Sequence, residues 1–122
     1  MELSNKTKVK IGEKNYEFGY PNVGQILNIE TSKMTLSGGI YGELVKSQHK
    51  TAVELLNLID GVSYFSILNP EFGKDFDIVN FTEMEVLTQK RISAAFVLYW
   101  KWLLGVEAEI NKLTSDAANN SK

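Results

Sequence analysis

The sequence predicts an α+β fold: an N-terminal β-hairpin packed on a mainly α-helical domain of about three principal helices. Three observations predict it. Residues 7–20, "TKVKIGEKNYEFGY", alternate polar and apolar positions on either side of the turn-forming "GEKN", the pattern of two tightly joined antiparallel strands. Residues 82–113 contain no proline and repeat apolar residues three and four apart, the period of a helix. The 122-residue chain is 43% hydrophobic and 23% charged, with no cysteine. That is the balance of one globular domain able to bury a core without disulfides or metals.

The elements follow in order. The hairpin occupies residues 7–20, and Val9, Ile11, Tyr16 and Phe18 are expected on its inner face. Pro21 and Asn22 interrupt the strand pattern and open a helix over about 23–36, with Asn22 as N-cap or Pro21 as first residue. Its narrow apolar face, Val23, Ile26, Leu27, Glu30 and Met34, is expected to turn inward. Ser37, Gly38 and Gly39 end it. "IYGELVKS" is expected as a short helix or turn with Ile40, Tyr41, Leu44 and Val45 buried. A second principal helix over about 50–68 is apolar on more than one face, which makes it central, and Gly61 marks a close approach of its neighbour. "NPEFGKDFD" reads as a loop. The third principal helix covers about 82–113, opened by a capping box at Thr82 and Glu85. A single domain is expected over 1–113, with a flexible polar tail at 114–122.

Placed at 100° per residue, the third helix carries two apolar rows. Ile92, Phe96, Tyr99, Leu103, Val106, Ile110 and Leu113 form a core seam, widened by Ala95 and Trp102. About 120° around lies a second row: Val86, Ser93, Val97, Trp100 and Leu104. Two readings stand for it. The first two helices can embrace it from both sides, or Val97, Trp100 and Leu104 form a surface for another chain, with the tryptophan as anchor. Lys101 can lay its stem on this surface and keep its amine in water. The greasy run at 94–106 is shorter than the roughly 20 residues a membrane-spanning helix needs.

Motifs for chemistry are absent. His49 is the single histidine, so neither a His-based metal cluster nor a two-His relay can form. No cysteine is available as nucleophile or zinc ligand. No P-loop, G-x-S-x-G or dinucleotide fingerprint occurs. "SGG" at 37–39 lacks the Lys-Ser or Lys-Thr of a phosphate cradle. Glu83 and Glu85 suit a helix N-terminus. The net charge of −2 and the spread of basic residues give no nucleic-acid patch. "MELSNKTKVK" carries no secretory h-region. The expectation is a non-enzyme without metal or cofactor that binds neither nucleic acid nor membrane.

The N-terminal half, "VKIGEKNYEFGYPNVGQILNIE", resembles the opening of small tail assembly chaperones of tailed bacteriophages. There a hairpin V-x-I-G-x-K-x-Y-x-F leads through proline into a helix with G-Q-x-L-x-I-E. "MTLSGGIYGELVKS" and "LIDGVSYFSILNPEF" are similar to the segments that follow, so the likeness covers about residues 7–72. It implies a chaperone in the host bacterial cytoplasm that binds the helical tape measure protein, keeps it soluble and helps recruit tail tube subunits. It implies no catalytic residues. Val97, Trp100 and Leu104 are the candidate anchors for such a helix, or for self-association into a homo-oligomer. Two other classes fit the residues: a structural virion protein of the tail or connector, and a small adaptor of a bacterial regulatory or defence system.

Overall fold

The structure is a computed structural model that describes residues 6–76 and 78–120. Strands β1 (Lys6–Ile11) and β2 (Lys14–Gly19) form an antiparallel hairpin. Five helices follow: α1 (Val23–Leu36), α2 (Tyr41–Ser47), α3 (Lys50–Leu68), α4 (Pro70–Asp75) and α5 (Val86–Asn120), with a 3-10 turn at Ile78–Glu83 before the last. The α+β class predicted from the sequence is the class of the structure.

Gly12 and Glu13 make the hairpin turn, between the paired Ile11 and Lys14. Gly12 has φ +68° and stands where a II′ turn takes glycine. Val9 faces Tyr16 across the ladder. Strict alternation puts Val9, Ile11, Tyr16 and Phe18 on one face, and all four are buried. The opposite face carries an exposed Lys8–Glu17 pair at 3.7 Å, which adds little in water. Two long-range bonds pin the hairpin: Tyr99 Oη donates to the Gly19 carbonyl at 2.8 Å, and Asn69 Nδ2 to that of Glu17 at 3.1 Å. At the turn, Lys14 bridges Glu71 and Asp75, and Tyr16 Oη donates to Asp75 at 2.6 Å. These bonds from Lys14 and Tyr16 hold the Asp75 carboxyl below its ordinary range.

The starts of α1, α3 and α4 are capped by local side chains. Asn22 and Gln25 form a reciprocal capping box on α1, which satisfies two orphan amides. His49 Nδ1 accepts from the Thr51 amide at the start of α3. Asn69 caps α4, with Pro70 in its first turn. The segment expected as the loop "NPEFGKDFD" is therefore a helix through Asp75, held by buried Phe72; Asp77 of that segment lies outside the described residues. The Thr82–Glu85 box does not form. Buried Phe81 holds Thr82 within the 3-10 turn, and α5 begins at Val86, with the Gln89 amide bonded to Glu85 O at 3.0 Å. Its helix continues through Asn120 instead of stopping near Leu113; 121–122 of the expected tail lie outside the described residues, as do 1–5.

Helix α3 is the centre of the molecule, packed by α1, α2 and α4, by α5 and by β2. A Cβ at Gly61 would lie 3.2 Å from Phe96 Cβ and 3.3 Å from Ile92 Cγ2, so the glycine lets α5 approach. Around it Phe18, Phe65, Phe72 and Tyr99 form a fully buried aromatic cluster. Helix α3 is also, among the described residues, the helix long and apolar enough to cross a membrane by length and composition. In the fold its residues Leu58, Ile59, Val62 and Phe65 are core. Ser63 is fully buried, and its Oγ has no hydrogen-bond partner among the described residues. A buried, unpaired hydroxyl is costly. Ser63→Ala is therefore expected to leave stability unchanged or raise it by up to about 1 kcal/mol, read as the midpoint of denaturant unfolding. A clear loss would mean that the hydroxyl is engaged.

The core seam lies where expected for Ile92, Phe96, Tyr99, Leu103 and Val106, all buried, with Ile110 half-buried. Leu113 is exposed. Two burial expectations are corrected. In α1 the residues turned to α3 are Ile29 and Lys33, while Val23, Ile26, Leu27 and Met34 are exposed. The lysine stem is apolar and buries readily when its ammonium finds carboxylates. That rotates the helix away from its apolar stripe. In α2, Tyr41 and Leu44 are half-buried, but Val45 and the N-cap residue Ile40 are exposed; the short helix packs chiefly on α3.

Candidate functional site

The second row of α5 is open. Val97 is 43%, Trp100 38% and Leu104 46% exposed. The reading in which α1 and α3 embrace it is overturned. Helix α1 lies against α3, and α5 packs on α3 and β1, so the row is flanked by α3 and not enclosed from both sides. Val86, at the start of the row, is exposed, and Ser93 is half-buried.

Trp100 is held rather than loose. Its ring lies edge-on to Tyr64 at 5.9 Å and tilted to Phe96 at 5.6 Å. Beside it, Phe96, Val97, Trp100 and Lys101 of α5 and Asn57 and Asp60 of α3 line a cleft of about 430 Å³. On α3, Val53, Asn57, Asp60 and Tyr64 succeed one another at four, three and four residues, so they share one helix face. That face is the floor between α1 and α5. From the α1 side, Lys33 and Glu30 reach it.

A polar cluster sits on this floor. Lys33 Nζ lies 3.0 Å from Glu30 Oε1 and 3.9 Å from Asp60 Oδ1. It also stands over the rings of Tyr41 and Tyr64, at 5.5 and 5.3 Å from their centroids, a cation–π arrangement. Tyr41 Oη donates to Asp60 Oδ1 at 2.5 Å. Burial raises the Asp60 carboxyl above its ordinary value, against the lowering pull of Tyr41 and Lys33. Burial, with Glu30 and Asp60 nearby, pushes Tyr64 up to about 12. Two carboxylates thus share one ammonium in a partly desolvated place.

Sequence reasoning missed Lys33, Asp60, Tyr41 and Tyr64. The four-three-four spacing on α3 was the available signal, but Asp60 looks isolated until α1 and α2 fold against it. The arrangement suits recognition. Among the described residues no group of three or more His, Asp or Glu is placed to hold a metal ion. A separate cleft of about 320 Å³ is lined by Asp75, Phe76, Asn80, Glu83, Met84 and Thr88. No protein-family model, curated protein or solved structure matches the chain.

Proposed function

We propose that this protein is a non-enzymatic assembly chaperone that receives an amphipathic helix of a partner along α5, in the manner implied by its resemblance to phage tail assembly chaperones. The partner on this reading is the tape measure protein of a tailed phage. The chaperone keeps that long helical chain soluble in the bacterial cytoplasm and brings tail tube subunits to it. The observation that carries the reading is the open row Val97, Trp100 and Leu104 beside the cleft over Asn57 and Asp60. Helix-in-groove recognition uses apolar anchors three and four residues apart, and this row has that spacing. A rigid, half-covered tryptophan between two aliphatic side chains is the residue type that carries interface energy.

Leu104→Glu tests it. The side chain is 46% exposed, so the variant should keep its circular dichroism and stay within about 0.5 kcal/mol of the parent in stability. Binding to a co-expressed helical fragment of a tape measure protein should fall by about tenfold or more, because a carboxylate would be buried unpaired in the complex. A folded variant with unchanged partner binding and unchanged light scattering defeats the proposal.

A further inference from the structure

Resting on the reading of this face as a helix-binding groove, we infer that the helix it receives carries a lysine or arginine whose cationic head enters the α3–α5 cleft and meets Asp60. The open oxygen of Asp60 points to this. Glu30 and Asp60 share Lys33, and of these three Asp60 lines the cleft. The contacts of Asp60 converge on Oδ1, which accepts from the Tyr41 hydroxyl and has the Lys33 ammonium 3.9 Å away. Its Oδ2 takes no hydrogen bond among the described residues, and Asp60 lines the open cleft. A carboxylate with one satisfied and one open oxygen is a receptor for a further donor.

The wall suits the rest of such a side chain. Phe96, Val97 and Trp100 line the same cleft. A long aliphatic stem packs on these surfaces, and a cationic head beside the Trp100 ring gains cation–π attraction. A wholly apolar helix fits less well, because it would cover the open oxygen of Asp60 without pairing it, which is costly. Lys101 also lines the cleft but is exposed, so it can turn to water.

The test uses tryptophan-free amphipathic peptides of alanine and leucine. In one set a single lysine is moved in turn around the border of the apolar face. In the other, norleucine replaces the lysine. Binding is read from Trp100 fluorescence in a Trp102→Phe background. The best lysine peptide is expected to bind the otherwise wild-type protein about fivefold or more tightly than its norleucine twin. Asp60→Asn should bring the pair to parity with the norleucine affinity kept. Equal binding of the two sets overturns the inference and leaves the groove reading standing. So does a lysine preference that survives in folded Asp60→Asn. No binding by either set overturns the inference and the groove reading together. A dimer that excludes the peptides and that Leu104→Glu dissociates makes a second copy the occupant, and overturns the inference. The comparison of the two sets on wild-type Asp60 does not depend on the folding of the Asp60 variant.

Discussion

Phe65→Ala should lower the free energy of unfolding by about 3–5 kcal/mol, the range for removing a fully buried phenylalanine. Phe65 has no exposed surface and stands where three parts of the chain meet. Its ring is stacked on Phe18 of the hairpin at 4.1 Å. It is edge-on to Phe72 of α4 at 5.4 Å and to Tyr99 of α5 at 5.8 Å. Such pairs add to the area that the ring itself buries. The flanking rings belong to different elements and are tied to their own backbones, so they cannot all close on the space left behind. The low end of the range therefore requires collapse that this geometry resists. Leu98→Ala is the control: Leu98 is 60% exposed on α5, and its loss should stay within about 0.5 kcal/mol. Guanidinium unfolding followed by circular dichroism measures both. A midpoint for Phe65→Ala that matches Leu98→Ala would mean that the aromatic cluster does not hold the hairpin to the helices.

Lys33→Met should cost about 2–3 kcal/mol at neutral pH, somewhat below the loss for breaking a fully buried pair, since Asp60 keeps partial contact with water. Methionine preserves the packing of the stem, so the charge is what is removed. Asp60 would be left with Tyr41 alone, and with Glu30 as an unscreened neighbour. Its carboxyl already titrates above 3.8 because of burial, with Lys33 pulling the other way. Removing Lys33 should raise it further. A carboxyl whose folded-state value exceeds its unfolded one binds a proton more tightly in the native state. Stability from that difference is complete below the unfolded value and is lost as pH rises through the folded one. The deficit of Lys33→Met relative to the parent should therefore be smallest near pH 4 and grow toward pH 7. Paired denaturant titrations at the two pH values read it. A deficit that is the same at both would show that the loss is one of packing, with Asp60 uninvolved.

Much of the fold is legible in the residues. Alternation alone places Val9, Ile11, Tyr16 and Phe18 on one face of the hairpin, because the side-chain period of a strand is two. The three-four repeat of Ile92, Phe96, Tyr99 and Leu103 identifies the buried side of α5 in the same way. Gly61 announces a close helix approach. The second row of α5 is legible as apolar, but its exposure is not, since a wheel reports which residues share a face and says nothing of what lies opposite.

What the sequence by itself determined is local: the inner face of the hairpin, the positions of the principal helices, the core seam and the absence of familiar catalytic motifs. These follow from chain periodicities and from turn and capping chemistry, which act over a few residues. Tertiary structure alone decided the rest. It turned α1 so that Lys33 rather than Met34 is buried, because carboxylates on α1 and α3 and rings on α2 and α3 converge on that ammonium. It drew Pro70–Asp75 of the expected loop into helix α4, because Phe72 fits beneath the hairpin and against Phe65. It left Val97, Trp100 and Leu104 open by settling α1 against α3, and it set Asp60 beside them. A charge or a ring gains its meaning from neighbours that are distant in sequence, and only the folded chain brings them within reach.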